Sequence, residues 1–336
     1  MAKQKKEIFD FAILGGCITS VTLGYLLQKA GKKVLLVEQQ SIGIETTGRY
    51  YTILSEQPEF IKINNYKPPA SDPARTPFDY LQKGLEFILA TSKKYNIRCD
   101  LRHVPDRALP FAGQQIPGPV HLFNPFKYII ALAEIVANNG GVVMDKSRVL
   151  KVEKCNDTYT VHTSRGKALA KNIIYSPRSS RILSLGLKLV IPYQTYSLMA
   201  KLANIYPESV FRNTKHNLLT HIIQADKSTT LVEVQGADYK VIKGKDDRRQ
   251  FKILEDYLMN NFEVQCLMVR WSSVYYKSPD GGLLTGPLET PGSYVVAGYN
   301  YSHPSIGTMA AMYFTQQLFE KESLQATGLA GTSMQE

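Results

Sequence analysis

The stretch IFDFAILGGCITSVTLGYLLQKAGKKVLLVE, residues 8–38, decides the fold. Its first part, Ile8 to Leu14, is apolar enough for a short strand of a parallel sheet covered on both faces, and Gly15 and Gly16 stop it. From Ile18 to Ala30 apolar residues return at helical spacing (Ile18, Val21, Leu26, Leu27, Ala30), and Gly31 stands where a left-handed C-cap belongs. KKVLLVE then reads as a second strand ending in an acid, Glu38.

Strand, glycine turn, helix, strand and acid in that order predict a dinucleotide-binding βαβ unit. The helix N-terminus faces a pyrophosphate and the acid takes a ribose hydroxyl. The GxGxxG frame is incomplete. Counted from Gly15, its second glycine is Cys17 and its third is Ser20. The second glycine normally lets backbone approach the phosphates, so a Cβ and a sulfur there are expected on the pyrophosphate's path.

Composition narrows the class. A chain of 336 residues with 44% hydrophobic content suits a folded protein of one large or two smaller domains. No uncharged apolar stretch approaches the length of a membrane span, and Asp10 interrupts the apolar run after MAKQKKE, which excludes a signal-peptide core; the expectation is a cytoplasmic protein. Cys17, Cys99, Cys155 and Cys266 are scattered without a CxxC pair or a histidine at ligand spacing. Neither a disulfide framework nor a metal site is expected, and all four read as reduced packing residues. The net charge of +11 raises the question of nucleic acid. Its lysines and arginines come in small clusters, such as Lys93 with Lys94, and no nucleic-acid motif accompanies them; a solvated basic surface is expected instead.

Further along, the prolines between residues 56 and 77 predict an irregular connection, and Phe78 to Lys94 an amphipathic helix. Asn124-Pro125 opens another helix, which ends at Gly140. Residues 142–175 read as strands joined by turns at Asn156-Asp157 and Arg165-Gly166. Between residues 183 and 270 the pattern is β-rich, interrupted by the helix RRQFKILEDYLMNNF. SYVVAG and SIGTMAAMYFTQQLFEK then give a buried strand and a helix, and residues 323–336 read as a polar, disordered tail.

Taken together, DFAILGG with VLLVE, SIGIETTGR, HLFNPFKYIIALAEIVANNGG, RVLKVE, VIPYQTYSLMAKL, RWSSVYYKSPDGGLLTGPL and SYVVAGYNYSHPSIGTMAA resemble the FAD-dependent oxidoreductases related to D-amino-acid oxidase and glycine oxidase. The gamma-glutamylputrescine-oxidase-like branch is the nearest in pattern. The resemblance spans Asp10 to about Phe319. It implies an α/β fold with a discontinuous Rossmann-like FAD-binding domain (residues 1–98, 123–182 and 284–322) and an inserted β-rich substrate or cap domain (99–122 and 183–283). It implies FAD as cofactor and a small amine or amino acid as substrate, whose C–N bond is oxidised by hydride transfer to the flavin. The residues carried over are Gly15 and Gly16 at the phosphate turn, Glu38 on the ribose, and Thr47, Gly48 and Arg49 near the diphosphate and ring. Val149 joins them by the adenine, and Gly286 and Gly307 around the flavin.

The departures from the family pattern concentrate at its flavin contacts. Besides Cys17 and Ser20, Tyr50 and Tyr51 stand where small residues usually follow the TGR motif. Ser176, Pro177 and Arg178 replace a small triplet, and the glycine-rich FSGNG loop reads Tyr299 to His303, bringing Tyr301 and His303 to glycine positions. Glycine there lets backbone lie against the ring. An emptied apolar groove costs about 24 cal/mol per Å³, so these side chains read as fillers of a lost flavin site or as the lining of a shifted one. His303 is either an acid or base or a plug. Arg270 holds a carboxylate or a loop, and Tyr275 and Tyr276 line the substrate cavity or are plain strand aromatics. Three readings follow: an FAD-dependent amine or amino-acid oxidoreductase, a flavin-less and catalytically silent relative acting as a binding or scaffold subunit with a protein partner, and a basic binder of nucleic acid.

Overall fold

The computed structural model describes residues 7–44, 52–55, 77–104, 114–115, 120–176, 190–213, 217–241, 246–278, 283–297 and 304–326. The βαβ unit is formed as the sequence dictates: β1 (Ile8–Leu14), α1 (Ile18–Lys29) and β2 (Val34–Val37), with β1 and β2 parallel and Leu14 level with Val37. Gly31 follows the helix at φ 76, the left-handed conformation its position required.

The chain continues through β3 (Thr52–Ser55), α2 (Pro77–Lys94), β4 (Arg102–Val104), β5 (Gln114–Gln115), β6 (Val120–Phe123) and α3 (Pro125–Asn138). Asn124 caps α3, its side-chain oxygen accepting the Lys127 backbone N–H at 3.0 Å, with Pro125 at the first helical position. Next come β7 (Val142–Met144), β8 (Val149–Cys155), β9 (Thr158–Thr163) and β10 (Gly166–Tyr175). Five strands in the order β7-β2-β1-β10 and then β17 (Ser293–Ala297) run parallel. The short β16 (Leu284–Pro287) pairs antiparallel at one edge, and the β8–β9 hairpin is appended to β10.

The sheet is covered on both faces, which explains its near-continuous apolar strands. Phe11, Ile13, Leu36 and Ile174 pack into a core with α1, α2, α3 and α5 (Pro304–Ala326). Ala12, Leu35, Val37 and Ile173 pack on the other side with Val152, Tyr159 and Val161 of the hairpin. Gly84 lets α2 approach α5 closely, since a Cβ there would collide with the Ser305 carbonyl oxygen and lie 3.1 Å from the Met309 nitrogen. Helix α5 runs through Ala326, so residues 323–326 of the expected tail are helical; the rest of that tail lies outside the described residues.

The β-rich region is an antiparallel sheet in the order β15-β11-β14-β13-β12-β5, with β11 (Ile191–Leu202), β12 (Ser209–Asn213), β13 (Leu218–Gln224), β14 (Thr230–Lys240) and β15 (Val264–Lys277). Helix α4 (Arg248–Asn261) covers one face, burying Leu254, Tyr257 and Leu258 against Leu198, Ile222, Val232 and Val234. Asp247, just ahead of α4, fastens it to the sheet. It accepts the Tyr196 hydroxyl at 2.7 Å and the Gln194 amide at 3.0 Å; burial and this carboxylate together push the Tyr196 pKa above the ordinary phenol value. The opposite face packs through Val210 and Ile223 on a three-stranded sheet, β3-β6-β4, which contributes Ile53, Val104, Val120 and Leu122.

The cysteine expectation needs correcting for half of its members. All four are free thiols, and Cys17 and Cys99 are buried, but Cys155 and Cys266 are exposed and fill no core. Both sit in strands with a solvent-facing side, a placement that the local apolar pattern does not distinguish from a buried one.

Candidate functional site

The candidate site begins where β1 ends. Gly15 has φ +124, a backbone conformation open to glycine, and a Cβ there would run into the Ser176 hydroxyl. That hydroxyl donates to the Leu14 carbonyl at 2.7 Å, tying the end of β10 to the end of β1. At Gly16 the crowding comes from the other neighbour. A Cβ would sit 2.8 Å from Glu38 Cγ and 2.7 Å from Ile42 Cδ1. The two glycines thus hold the turn flat between the ends of three adjacent strands.

Helix α1 leaves the turn with Cys17 as N-cap. Its side chain caps no backbone N–H, and no acid occupies the first turn. The positive dipole end of the helix therefore meets no capping side chain at Cys17 and no first-turn carboxylate, an arrangement that favours an external anion. Cys17 is buried, and its Sγ lies 3.5 Å from the Ser20 hydroxyl one turn on, so the two departures from the glycine frame contact each other along the helix. Glu38 is half-buried at the end of β2. One of its oxygens accepts the Gln40 backbone N–H at 2.8 Å, which holds the carboxylate beside the turn.

A second helix N-terminus is built similarly. Ser305 and Thr308, at the start of α5, are fully buried, and among the described residues their hydroxyls meet no hydrogen-bond partner; no acid stands in the first turn of this helix either. Buried, unpaired hydroxyls are costly unless something completes them. Gly307 is buried between them.

The remaining expected residues are placed as follows. Val149 opens β8 opposite Thr163, and Gly286 sits in β16 opposite Val295 with φ +133 and open space where a Cβ would be. Arg270 lies on the α4 side of β15, its guanidinium 5.3 Å from the centre of the Phe251 ring. Tyr276 packs against the core on the hairpin side of the parallel sheet, and Tyr275 donates to Asp238 at 2.6 Å. Thr47, Gly48, Arg49, Tyr50, Tyr51, Pro177, Arg178, Tyr301 and His303 lie outside the described residues. Sequence reasoning gave no sign that Ser305 and Thr308 would be fully buried, since small hydroxyl residues at a helix start read as ordinary caps. Among the described residues no group of three or more His, Cys, Asp or Glu could hold a metal ion.

A parallel sheet, a glycine turn feeding an uncapped helix, and an acid at the end of the next strand define a dinucleotide-binding protein. The bare start of α1 beside Gly15, Gly16 and Glu38 fits a ligand that carries phosphates and ribose hydroxyls, as FAD does. The family pattern described as FAD dependent oxidoreductase, DAO, matches residues 103–317, and the chain belongs to that family. Solved structures of the same fold include L-proline dehydrogenase from P. horikoshii (14% identity, TM-score 0.69, covering 94% of this chain and 94% of that one). Glycine oxidase from Bacillus cereus is similar (14% identity, TM-score 0.66, 98% and 100%). So is L-amino acid deaminase from Proteus vulgaris (13% identity, TM-score 0.68, 95% and 96%). A Bacillus subtilis protein named as a putative Rieske 2Fe-2S iron-sulfur protein, YhfW, is 21% identical over an alignment 360 positions long that covers 96% of this chain and 71% of that protein.

Proposed function

We propose that this chain binds FAD with the diphosphate at the N-terminus of α1 and uses it to oxidise the C–N bond of a small amine or amino acid. The observation that carries the reading is the uncapped start of α1 set between Gly15, Gly16 and Glu38, in a chain that belongs to the FAD-dependent oxidoreductase family. In this reading the α1 N–H groups bind the diphosphate and Glu38 accepts from the adenosine ribose. Thr47, Gly48 and Arg49 lie toward the diphosphate and ring, Val149 by the adenine, and Gly286 and Gly307 near the flavin. When bound, FAD supplies the hydride acceptor.

The chain's own part is to hold the substrate carbon near that acceptor and to keep water away. The antiparallel sheet suits the second task, since Ser197, Met199 and Trp271 are buried on its face turned away from α4. The test is an anaerobic panel of primary amines, secondary amines and amino acids added to the FAD-loaded protein. Loss of the flavin's visible band with members of one class supports the reading; a bound flavin that no amine or amino acid reduces contradicts it.

A further inference from the structure

The two faces of the antiparallel sheet meet different surroundings. Leu198, Val232 and Val234 point to α4, whereas Leu219, Ile223 and Leu231 point to the three-stranded sheet. Side chains alternate between the faces along each strand, so on this second face Tyr193, Thr195 and Ser197 of β11 stand opposite Tyr275, Ser273 and Trp271 of β15. The same two strands meet the parallel sheet at one end. Val190, just ahead of β11, and Tyr276 of β15 pack with Leu14, Tyr175, Leu284 and Ala297. Leu14 and Tyr175 are paired at the close of β1 and β10, the edge from which the glycine turn departs. Tyr193, Tyr275 and Lys277 therefore sit at the end of the antiparallel sheet that borders this edge, on the face opposite to Tyr276.

These three side chains form a cluster. The Tyr193 and Tyr275 rings lie 5.9 Å apart and are inclined by 33°. The Lys277 ammonium stands over both, 4.3 Å from the centre of the Tyr193 ring and 5.5 Å from that of Tyr275. Tyr275 is buried, and its hydroxyl donates to Asp238 at 2.6 Å, which fixes the ring. A ring face attracts a cation through its quadrupole but carries no net charge. The two rings thus place the ammonium without neutralising it, and they offer apolar surface beside it. That combination is complementary to a small organic anion, with a carboxylate for the ammonium and a carbon skeleton for the rings. Arg270, which the sequence offers for a carboxylate, points to the α4 face beside Phe251 and away from this cluster.

We propose that Lys277 binds the carboxylate of an amino-acid substrate, whose carbon skeleton packs against Tyr193 and Tyr275. This rests on the reading of the chain as an FAD-dependent oxidoreductase of amines or amino acids, and it narrows that reading to amino acids. Fixing the carboxylate also orients the adjoining carbon that bears the amine. A plain amine lacks the charge that Lys277 recognises, so this residue sets specificity.

Benzoate and its neutral counterpart of the same shape, benzamide, separate charge from fit. Isothermal titration of the full chain with each, in the presence and in the absence of FAD, tests the proposal. The wild-type chain is expected to bind benzoate at least about tenfold more tightly than benzamide. Lys277→Met keeps most of the side chain and removes its charge; it is expected to abolish the preference for benzoate while still binding benzamide. Lys277→Arg is expected to retain the preference. A lysine with a merely structural role would change both affinities alike, and circular dichroism melts check that each variant is folded. Absence of benzoate binding, equal affinity of the wild-type chain for the two probes, or a preference that survives Lys277→Met overturns the proposal. A chain that takes up no flavin counts against the cofactor reading alone, because the preference for benzoate is then read on the flavin-free protein.

Discussion

Gly16 and Glu38 are in mutual contact: a Cβ added to the glycine would stand 2.8 Å from the Cγ of the acid and 2.9 Å from its Cβ. The turn proposed to receive a diphosphate and the carboxylate proposed to receive a ribose are therefore one mechanical unit, and moving one displaces the other. Gly16→Ala is expected to weaken FAD binding by at least about tenfold, which corresponds to roughly 1.4 kcal/mol. Glu38→Gln, which keeps the shape and removes the charge, is expected to weaken it to a similar degree, since hydrogen bonds to charged groups contribute about 1.5–3 kcal/mol. Titration of the unliganded chain with FAD, followed by flavin fluorescence, reads both; wild-type affinity in either variant would remove that residue from the site.

Gly84 predicts a cost in stability rather than in binding. A methyl group there has no room against the Ser305 carbonyl oxygen and the Met309 backbone, and backbone yields less readily than a side chain. Gly84→Ala is expected to destabilise the fold by about 1–3 kcal/mol, the range for overpacked cores, despite the better helix propensity of alanine. Urea denaturation measures it, with an unchanged midpoint as the contrary result.

The cap on α3 gives a smaller effect. Asn124→Ala removes the acceptor for the Lys127 N–H and is expected to cost about 1 kcal/mol in the same experiment.

Asp10 sets a pH dependence. Its partial burial acts to raise its pKa, but the Lys171 ammonium at 2.8 Å and the Lys33 backbone N–H at 2.9 Å outweigh that and hold it below the ordinary aspartate value. A pKa depressed by folding means that this carboxylate stabilises the native state above its unfolded value of about 3.9 and loses that contribution as the pH falls through the folded value. The stability gap between wild type and Asp10→Asn is expected to be constant near neutrality and to close below pH of about 4. A gap that widens on acidification would contradict the assignment.

The nucleotide-binding half was legible because local pattern and tertiary role coincide there. The apolar run of β1, the two glycines and the acid after β2 each owe their identity to the sheet that they build. Asn124 and Pro125 announced α3 for the same reason, since a cap is a local device. The pairing order of the antiparallel sheet was less legible. Alternation marks strands, but register depends on partners far apart in sequence, such as Leu198 opposite Arg270. Burial without a hydrogen bond, the property that draws attention to Ser305 and Thr308, is a tertiary fact with no local signature. The exposure of Cys155 and Cys266 was hidden likewise, because edge and interior strands share composition.

The most direct test of the central claim is the absorption spectrum of the full chain after incubation with excess FAD and removal of unbound cofactor. The account predicts a yellow protein with about one flavin per chain and a band near 450 nm that bleaches anaerobically with an amine or amino acid. A correctly folded chain that stays colourless would contradict it.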